Sequence, residues 1–362
     1  MQLVSIQYLR AAAALMVVLY HMNAPLSRLS MQVSGTEWLA SGVDVFFVIS
    51  GLIMWVTTAG TPQGPGDFLL RRLVRIVPLY WLLTTLMVFA VLVVPNLVRS
   101  GRFDLSHIVT SYLFVPHPHP VLGDAFPILI PGWTLNNEMA FYVLFGLALL
   151  LPKAARFWAM GAALLALVVA ARLVPSAGVL LHFYGNTMVV EFWFGMALGL
   201  AWRAGWLPGP GVGLAFLLGG FALLPGGWML GESLPRGLVL GVPSALIVLG
   251  ALALERTGRV PVLRAPLLVG DASYALYLVH TIVLAALGAA WRWAPGPLPS
   301  SIPAFIVAGT VLCLAAAIAL HLLVDKPLGR ALASRLPRRP GLRPVGAPLP
   351  APAWAAGQAR AE

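Results

Sequence analysis

Ten apolar stretches of roughly 20 residues follow one another along this chain, and they restrict it to one kind of architecture. They lie at about residues 4–24, 39–59, 77–95, 134–151, 157–174, 186–203, 211–225, 238–254, 273–292 and 302–324. The 362 residues are 60% hydrophobic and only 10% charged, with a mean hydropathy of +0.89. In lipid, only helices and closed barrels satisfy their backbone hydrogen bonds, and these stretches are too long and too apolar for barrel strands. The sequence therefore predicts an all-α fold, a polytopic membrane bundle of about ten transmembrane helices.

The distribution of positive charge predicts that both chain ends lie in the cytoplasm. With the N-terminus inside, the inner loops and the C-terminal segment carry 16 of the 23 Lys and Arg residues, and the outer loops carry six. Cytoplasmic loops of membrane proteins show this excess. The net charge of +11 then reflects topology and contact with the anionic lipids of the bilayer, so nucleic acid is not a predicted partner, and no oligomeric state is indicated. We expect an integral membrane domain over residues 1–330 and a disordered Pro- and Arg-rich cytoplasmic tail over residues 331–362.

Two ionisable residues in the first apolar stretch point to a polar interior. Arg10 and His21 are 11 residues apart, which returns to nearly the same face of a helix about 16 Å further along its axis. Burying such groups in a membrane is costly, so they usually face a partner or a cavity. Hydrogen bonds to neighbouring helices would satisfy them equally well.

Glu138 is a candidate partner for His21. It lies near the start of the fourth stretch, at a predicted depth close to that of His21, and a carboxylate can orient an imidazole and stabilise its protonated form. This pairing suits a general base and the group that orients it. The alternative is that Glu138 only anchors the start of its helix, with Trp133 as an interfacial residue.

A cluster of arginines precedes the third stretch. On a helix, Arg71, Arg72 and Arg75 project toward one broad face at the predicted cytoplasmic surface. Guanidinium groups bind phosphate oxygens in a bidentate manner, so the cluster favours phosphate recognition, although topology alone would also place arginines there. In the outer loop of residues 96–132, His117 and His119 lack further ligands, and we predict no metal site.

Six short motifs, in order along the chain, carry a resemblance to a known family. They are Arg10 with His21, SGVDVFFVISG (residues 41–51), RRLVRIVP (71–78), WTLNNE (133–138), SYALYLVH (273–280) and DKPL (325–328). By these motifs the chain is identified as a member of acyltransferase family 3. The segments ISGLIMWVTT (49–58) and YGNTMVVEFWFGM (184–196, around Glu191) resemble the exopolysaccharide acetyltransferases of succinoglycan type. The resemblance implies a multi-pass protein of the bacterial inner membrane. It also implies an acyl-CoA donor, with acetyl-CoA as the default, a glycan acceptor and no permanently bound cofactor.

The family's functional residues can be carried over to matching positions. His21 matches its essential histidine, Arg10 the accompanying arginine, and Arg72 and Arg75 its cytoplasmic Arg-x-x-Arg motif. Trp133 and Glu138 match its Trp-x-Leu-x-x-Glu motif. The resemblance thus implies that an acyl group moves from acyl-CoA to a hydroxyl of a surface or exopolysaccharide glycan, or of its lipid-linked precursor.

Our mechanistic hypothesis is that His21, oriented by Glu138, deprotonates the acceptor hydroxyl, while Arg10, Arg71, Arg72 and Arg75 hold the donor. An acyl-histidine intermediate is the rival mechanism. The candidate acceptor-binding residues are Asp44, Trp133, Glu191, Tyr277 and His280, for which capping, anchoring or internal hydrogen bonding is the structural alternative. The competing function is a proton-coupled secondary transporter or flippase of a glycan-related solute, because buried charges also occur in carriers.

Overall fold

The computed structural model describes residues 3–58, 63–93, 103–174, 176, 178–231, 233–293 and 300–336. Every regular element in these ranges is helical, which confirms the predicted all-α class. The α-helices are α1 (Val4–His21), α2 (Asn23–Arg28), α3 (Gly42–Thr58), α4 (Pro65–Val93), α5 (Leu105–Tyr112), α6 (Trp133–Ala148), α7 (Lys153–Leu173), α8 (Val179–Tyr184), α9 (Val190–Ala204), α10 (Pro210–Leu230), α11 (Arg236–Val239), α12 (Gly241–Glu255), α13 (Arg264–Asp271), α14 (Ser273–Trp291), α15 (Ile302–Leu320) and α16 (Lys326–Ser334).

Each of the ten predicted spans falls on a helix. Within the described residues, eight helical stretches are long and apolar enough to cross a membrane. The other two predicted spans fall on α6 and α9, which have 16 and 15 residues. The chain is therefore built from membrane-spanning helices, whereas the total of ten and the N-in, C-in orientation stay predictions.

Two glycines bring α3 and α9 into close contact. A Cβ atom on Gly51 of α3 would lie 1.9 Å from the backbone oxygen of Phe192, and one on Gly195 of α9 would lie 2.0 Å from that of Val48. Neither position can hold a side chain without moving a helix backbone. Small residues permit such close helix packing in membranes.

The helical part of the chain continues beyond the predicted domain boundary. The five residues His321–Asp325 form a π-helical turn after α15, and α16 then extends to Ser334. Residues 337–362, most of the predicted tail, lie outside the described residues. The predicted boundary at residue 330 lies within α16. The disordered tail beyond α16 stays a prediction.

Candidate active site

A cavity of about 930 Å³ lies between α1, α3, α4, α6, α14 and the C-terminal helix. Its wall contains all four arginines predicted to bind the donor, namely Arg10, Arg71, Arg72 and Arg75. Arg10 comes from α1 and the other three from α4. Sequence segments some 60 residues apart thus contribute positive charge to one chamber.

Aromatic rings and polar side chains hold two of these arginines. The guanidinium of Arg72 lies 5.5 Å from the ring centroid of Phe68 and 5.9 Å from that of Tyr142. It also donates a hydrogen bond of 3.2 Å to Thr57 Oγ1. Arg10 donates from Nη1 to Gln7 Oε1 at 3.2 Å. Cation–π contacts orient a guanidinium without neutralising it, so the charge stays available to a ligand.

Glu138 lines the same cavity, but its partners differ from those predicted. Its Oε1 accepts hydrogen bonds from Ser50 Oγ at 2.9 Å and from the Tyr142 hydroxyl. The expected hydrogen bond to His21 does not form among the described residues, because α6 directs Glu138 toward α3 and the ring that packs on Arg72. Glu138 therefore belongs to the basic chamber, and its predicted task of orienting His21 is corrected.

The backbone orients His21 instead. Its Nδ1 lies 2.8 Å from the carbonyl oxygen of Val17, one turn earlier in α1. A carbonyl oxygen only accepts, so Nδ1 carries the proton and Nε2 presents its lone pair. His21 is thereby held in the tautomer that a general base requires, without a carboxylate.

His280 packs directly against His21. The two ring centroids are 4.8 Å apart in an edge-to-face arrangement. His280 is fully buried; its Nδ1 lies 3.2 Å from the carbonyl oxygen of Leu276, and its Nε2 has no partner among the described atoms. Both histidines therefore keep the proton on Nδ1 and an unshared lone pair on Nε2.

Tyr277 connects this histidine pair with the cavity. It lines the cavity, its hydroxyl is hydrogen-bonded to Thr134 Oγ1 at 2.9 Å, and its ring centroid lies 5.9 Å from that of His280. Neither histidine is among the described residues of the cavity wall. The histidine pair thus packs behind Tyr277, outside the described wall of the arginine-lined chamber.

The other acceptor candidates, Asp44, Glu191 and Trp133, are not among the described residues of the cavity wall. Asp44 is fully buried in an ion pair with Arg236, with Oδ2 2.8 Å from Nη2, and the fully buried Glu191 carboxyl lies against Asp44. Trp133 begins α6 and packs partly buried on the core. Contact with an acceptor is therefore corrected for Asp44 and Glu191, because neither carboxyl is accessible, whereas both readings of Trp133, acceptor contact and interfacial anchoring, stay predictions.

A sequence model of the family described as an acyltransferase domain matches residues 3–322. The chain belongs to acyltransferase family 3. Exopolysaccharide production protein ExoZ of Rhizobium meliloti (strain 1021) is 39% identical over 296 residues, which cover 80% of this chain and 90% of that protein. Acyltransferase MdmB of Streptomyces mycarofaciens is 28% identical over 333 residues, 82% of each chain. No solved structure gives a significant match.

This acyltransferase also has site residues to which the sequence assigned no role, although Ser50, Asp325 and Lys326 lie in the motifs quoted above. Ser50 and Tyr142 bind Glu138, and the cavity wall further contains Asp271, His321, Asp325, Lys326 and Arg330. The family match ends at residue 322, before the last three of these. The helical spacing of Asp325, Lys326 and Arg330 was the available signal, but these residues adjoin a polar segment that was interpreted as a tail.

Proposed function

We propose that this acyltransferase moves an acyl group, by default acetyl, from acyl-CoA in the cytoplasm to a hydroxyl of an exopolysaccharide or surface glycan, or of its lipid-linked precursor. The observation that carries this proposal is the chamber whose wall brings four arginines together with Tyr277, behind which the His21–His280 pair packs. The names of the relatives, an exopolysaccharide production protein and an acyltransferase, support the reaction class and the acceptor class.

The chamber suits a long, anionic donor. Its volume of about 930 Å³ is at the upper end of typical small-molecule sites, and guanidinium groups are suited to phosphate oxygens. The phosphates of coenzyme A would bind at the α4 arginines, while the uncharged pantetheine arm extends along the cavity past Arg10. The thioester would then lie near Tyr277.

His21 supplies the base in this proposal. Its Nε2 lone pair takes the proton of the acceptor hydroxyl as the oxygen attacks the thioester carbonyl, so that a C–O bond forms and the C–S bond breaks. The coenzyme A thiolate leaves with the electron pair and takes the proton from His21. His280 is a positioning residue, because its Nε2 can accept a hydrogen bond from protonated His21. A transient acyl-histidine is the rival route to the same products.

An assay with purified protein in lipid nanodiscs tests the proposal. The protein is incubated with acetyl-CoA labelled in the acetyl group and with glycan from cells that lack this protein; free thiol and labelled glycan are measured together. We expect equal amounts of thiol and glycan ester. Vesicle uptake of a glycan-related solute with the thioester intact would instead support the proton-coupled transporter or flippase.

A further inference from the structure

The C-terminal helix forms part of the cavity wall. α16 packs against α4, the helix that carries three of the donor arginines. The wall residues that follow α15 are His321, Asp325, Lys326, Gly329, Arg330 and Ala333. These positions recur at intervals of three, four and one residues, which places them on one face of a helix. One face of the polar C-terminal segment is thus directed into the chamber.

A π-helical turn lies at the start of this segment. Residues His321–Asp325 form the turn, and His321 Nδ1 lies 2.9 Å from Asp325 Oδ2. The additional residue in a π-turn rotates the helix that follows, and such turns are frequent at functional sites. Because Asp325 is paired with His321, its carboxylate is not the partner of the cations that follow it.

Lys326 and Arg330 have no acidic partner among the residues that the structure describes. Within the described part of the chain, neither side chain forms an ion pair; Arg330 Nε donates only to the carbonyl oxygen of Lys326, at 3.3 Å. Both side chains are exposed at the cavity, so water solvates their charges and no buried acidic partner is needed. The described wall contains six Lys and Arg residues and three carboxylates, an excess that attracts a polyanion.

We infer that Lys326 and Arg330 bind phosphates at the nucleotide end of the donor, so that α16 forms a second basic wall of the donor site beside α4. This inference rests on the proposed acyl-CoA activity and specifies how the same site selects its donor. The nucleotide end of coenzyme A carries a diphosphate and a 3′-phosphate, whose combined charge of about −3.5 to −4 at pH 7 exceeds the three positive charges of the α4 arginines. The site would therefore select nucleotide-bearing thioesters over acylated pantetheine, which has the same reactive end without the phosphates.

Steady-state kinetics on the full-length protein in nanodiscs test this inference. The donors are acetyl-CoA and acetylpantetheine, and the variants are Lys326→Gln, Arg330→Gln and Arg335→Gln. Arg335 is the matched control, because it follows α16, is exposed and is not among the wall residues. Loss of one charge-assisted contact at an exposed site corresponds to about a tenfold weaker interaction.

We expect Lys326→Gln and Arg330→Gln each to raise the KM for acetyl-CoA about tenfold with little change in kcat, and to leave the KM for acetylpantetheine unchanged. The Arg335→Gln variant should match the wild type. An unchanged KM for acetyl-CoA in both α16 variants would overturn the inference while the proposed function stands. If those variants do not accumulate in cells, the wild type alone tests the inference. Equal KM values of the wild type for acetyl-CoA and acetylpantetheine would also overturn the inference. A wild type that consumes neither thioester overturns the proposed function as well.

Discussion

The imidazole rings of His21 and His280 meet edge to face, with their centroids 4.8 Å apart. In each ring Nδ1 faces the carbonyl oxygen four residues earlier, Val17 for His21 and Leu276 for His280. Both rings therefore present Nε2 as a base. When His21 takes a proton, Nε2 of the His280 ring packed against it, which has no partner among the described atoms, is an acceptor that can stabilise the resulting cation, a task that carboxylates perform in many enzymes.

Replacing His280 should slow the reaction without weakening donor binding. In His280→Phe the ring volume is kept but the acceptor nitrogen is lost, and we expect kcat to fall about 100-fold, the lower end for acid–base contributions. The KM for acetyl-CoA should stay within about twofold, since His280 lies outside the arginine-lined wall. His280→Gln, which restores an acceptor, should recover part of kcat. A tenfold rise in KM with unchanged kcat would place His280 in the donor site instead.

The ion pair between Asp44 and Arg236 should contribute to stability. Its atoms are 2.8 Å apart, Asp44 is fully buried and the Arg236 side chain is 26% exposed. Removing the cation in Arg236→Ala leaves a buried carboxylate beside the Glu191 carboxyl, and we expect a loss of about 3 kcal/mol in the free energy of unfolding. Thermal unfolding in detergent measures it. The double variant Asp44→Asn with Arg236→Ala should recover part of the loss, whereas an unchanged melting temperature in the single variant would show that the pair is not stabilising.

The contact between α3 and α9 should not tolerate a methyl group. In Gly51→Ala the new Cβ would lie 1.9 Å from the Phe192 oxygen, so a helix must shift, at a cost of about 2 kcal/mol or more. Gly219→Ala in α10 is the matched control, because its Cβ would meet no atom within 4 Å. We expect a lower melting temperature for Gly51→Ala only. Equal melting temperatures for the two variants would contradict the packing described here.

The segment of residues 103–132, which comprises α5 and the loop that follows it, should loosen in acid. Burial lowers the pKa of His107 and His119, whose ring centroids are 4.8 Å apart. His107 Nε2 donates to the Phe126 carbonyl oxygen at 2.8 Å, and His119 Nδ1 accepts from two backbone N–H groups at 3.2 Å. A third imidazole, His117, lies 5.9 Å from His107, and Asp104 Oδ1 accepts from the backbone of His107.

Proton binding to the two histidines is coupled to the opening of this segment. Because the packed loop binds protons less readily than the open loop, its packing is fully stable above the ordinary histidine pKa of about 6.5 and is lost as the pH falls below it. Hydrogen exchange of residues 103–132 should therefore rise from pH 7.5 to pH 5, after correction for intrinsic rates, while exchange in α12 stays constant. Equal protection of the loop at both values would contradict the expectation.

The sequence predicted the parts of the site that depend on hydropathy and charge. Arg10 was identified because a buried charge in a membrane protein usually faces a partner or a cavity, and the α4 arginines were identified because their spacing places them on one face of a helix. The partners of Glu138 were missed, because they depend on how α6 is rotated against α3, which hydropathy does not specify. Pairing of Asp44 with Arg236 across 192 residues was hidden for the same reason. Lys326 and Arg330 were missed because a short amphipathic helix next to a Pro-rich segment has the composition of a tail.

If His21 carries out acyl transfer, removing its imidazole should abolish labelling of the acceptor glycan. Purified wild type, His21→Ala and His182→Ala are incubated in nanodiscs with labelled acetyl-CoA and acceptor glycan, and the label in the glycan is counted. His182 is an exposed histidine of α8 and controls for loss of an imidazole. At equal amounts of folded protein, we expect His182→Ala to label the glycan as the wild type does. We expect His21→Ala to reduce the label in the glycan about 1,000-fold or more. Wild-type labelling by His21→Ala would contradict this role of His21.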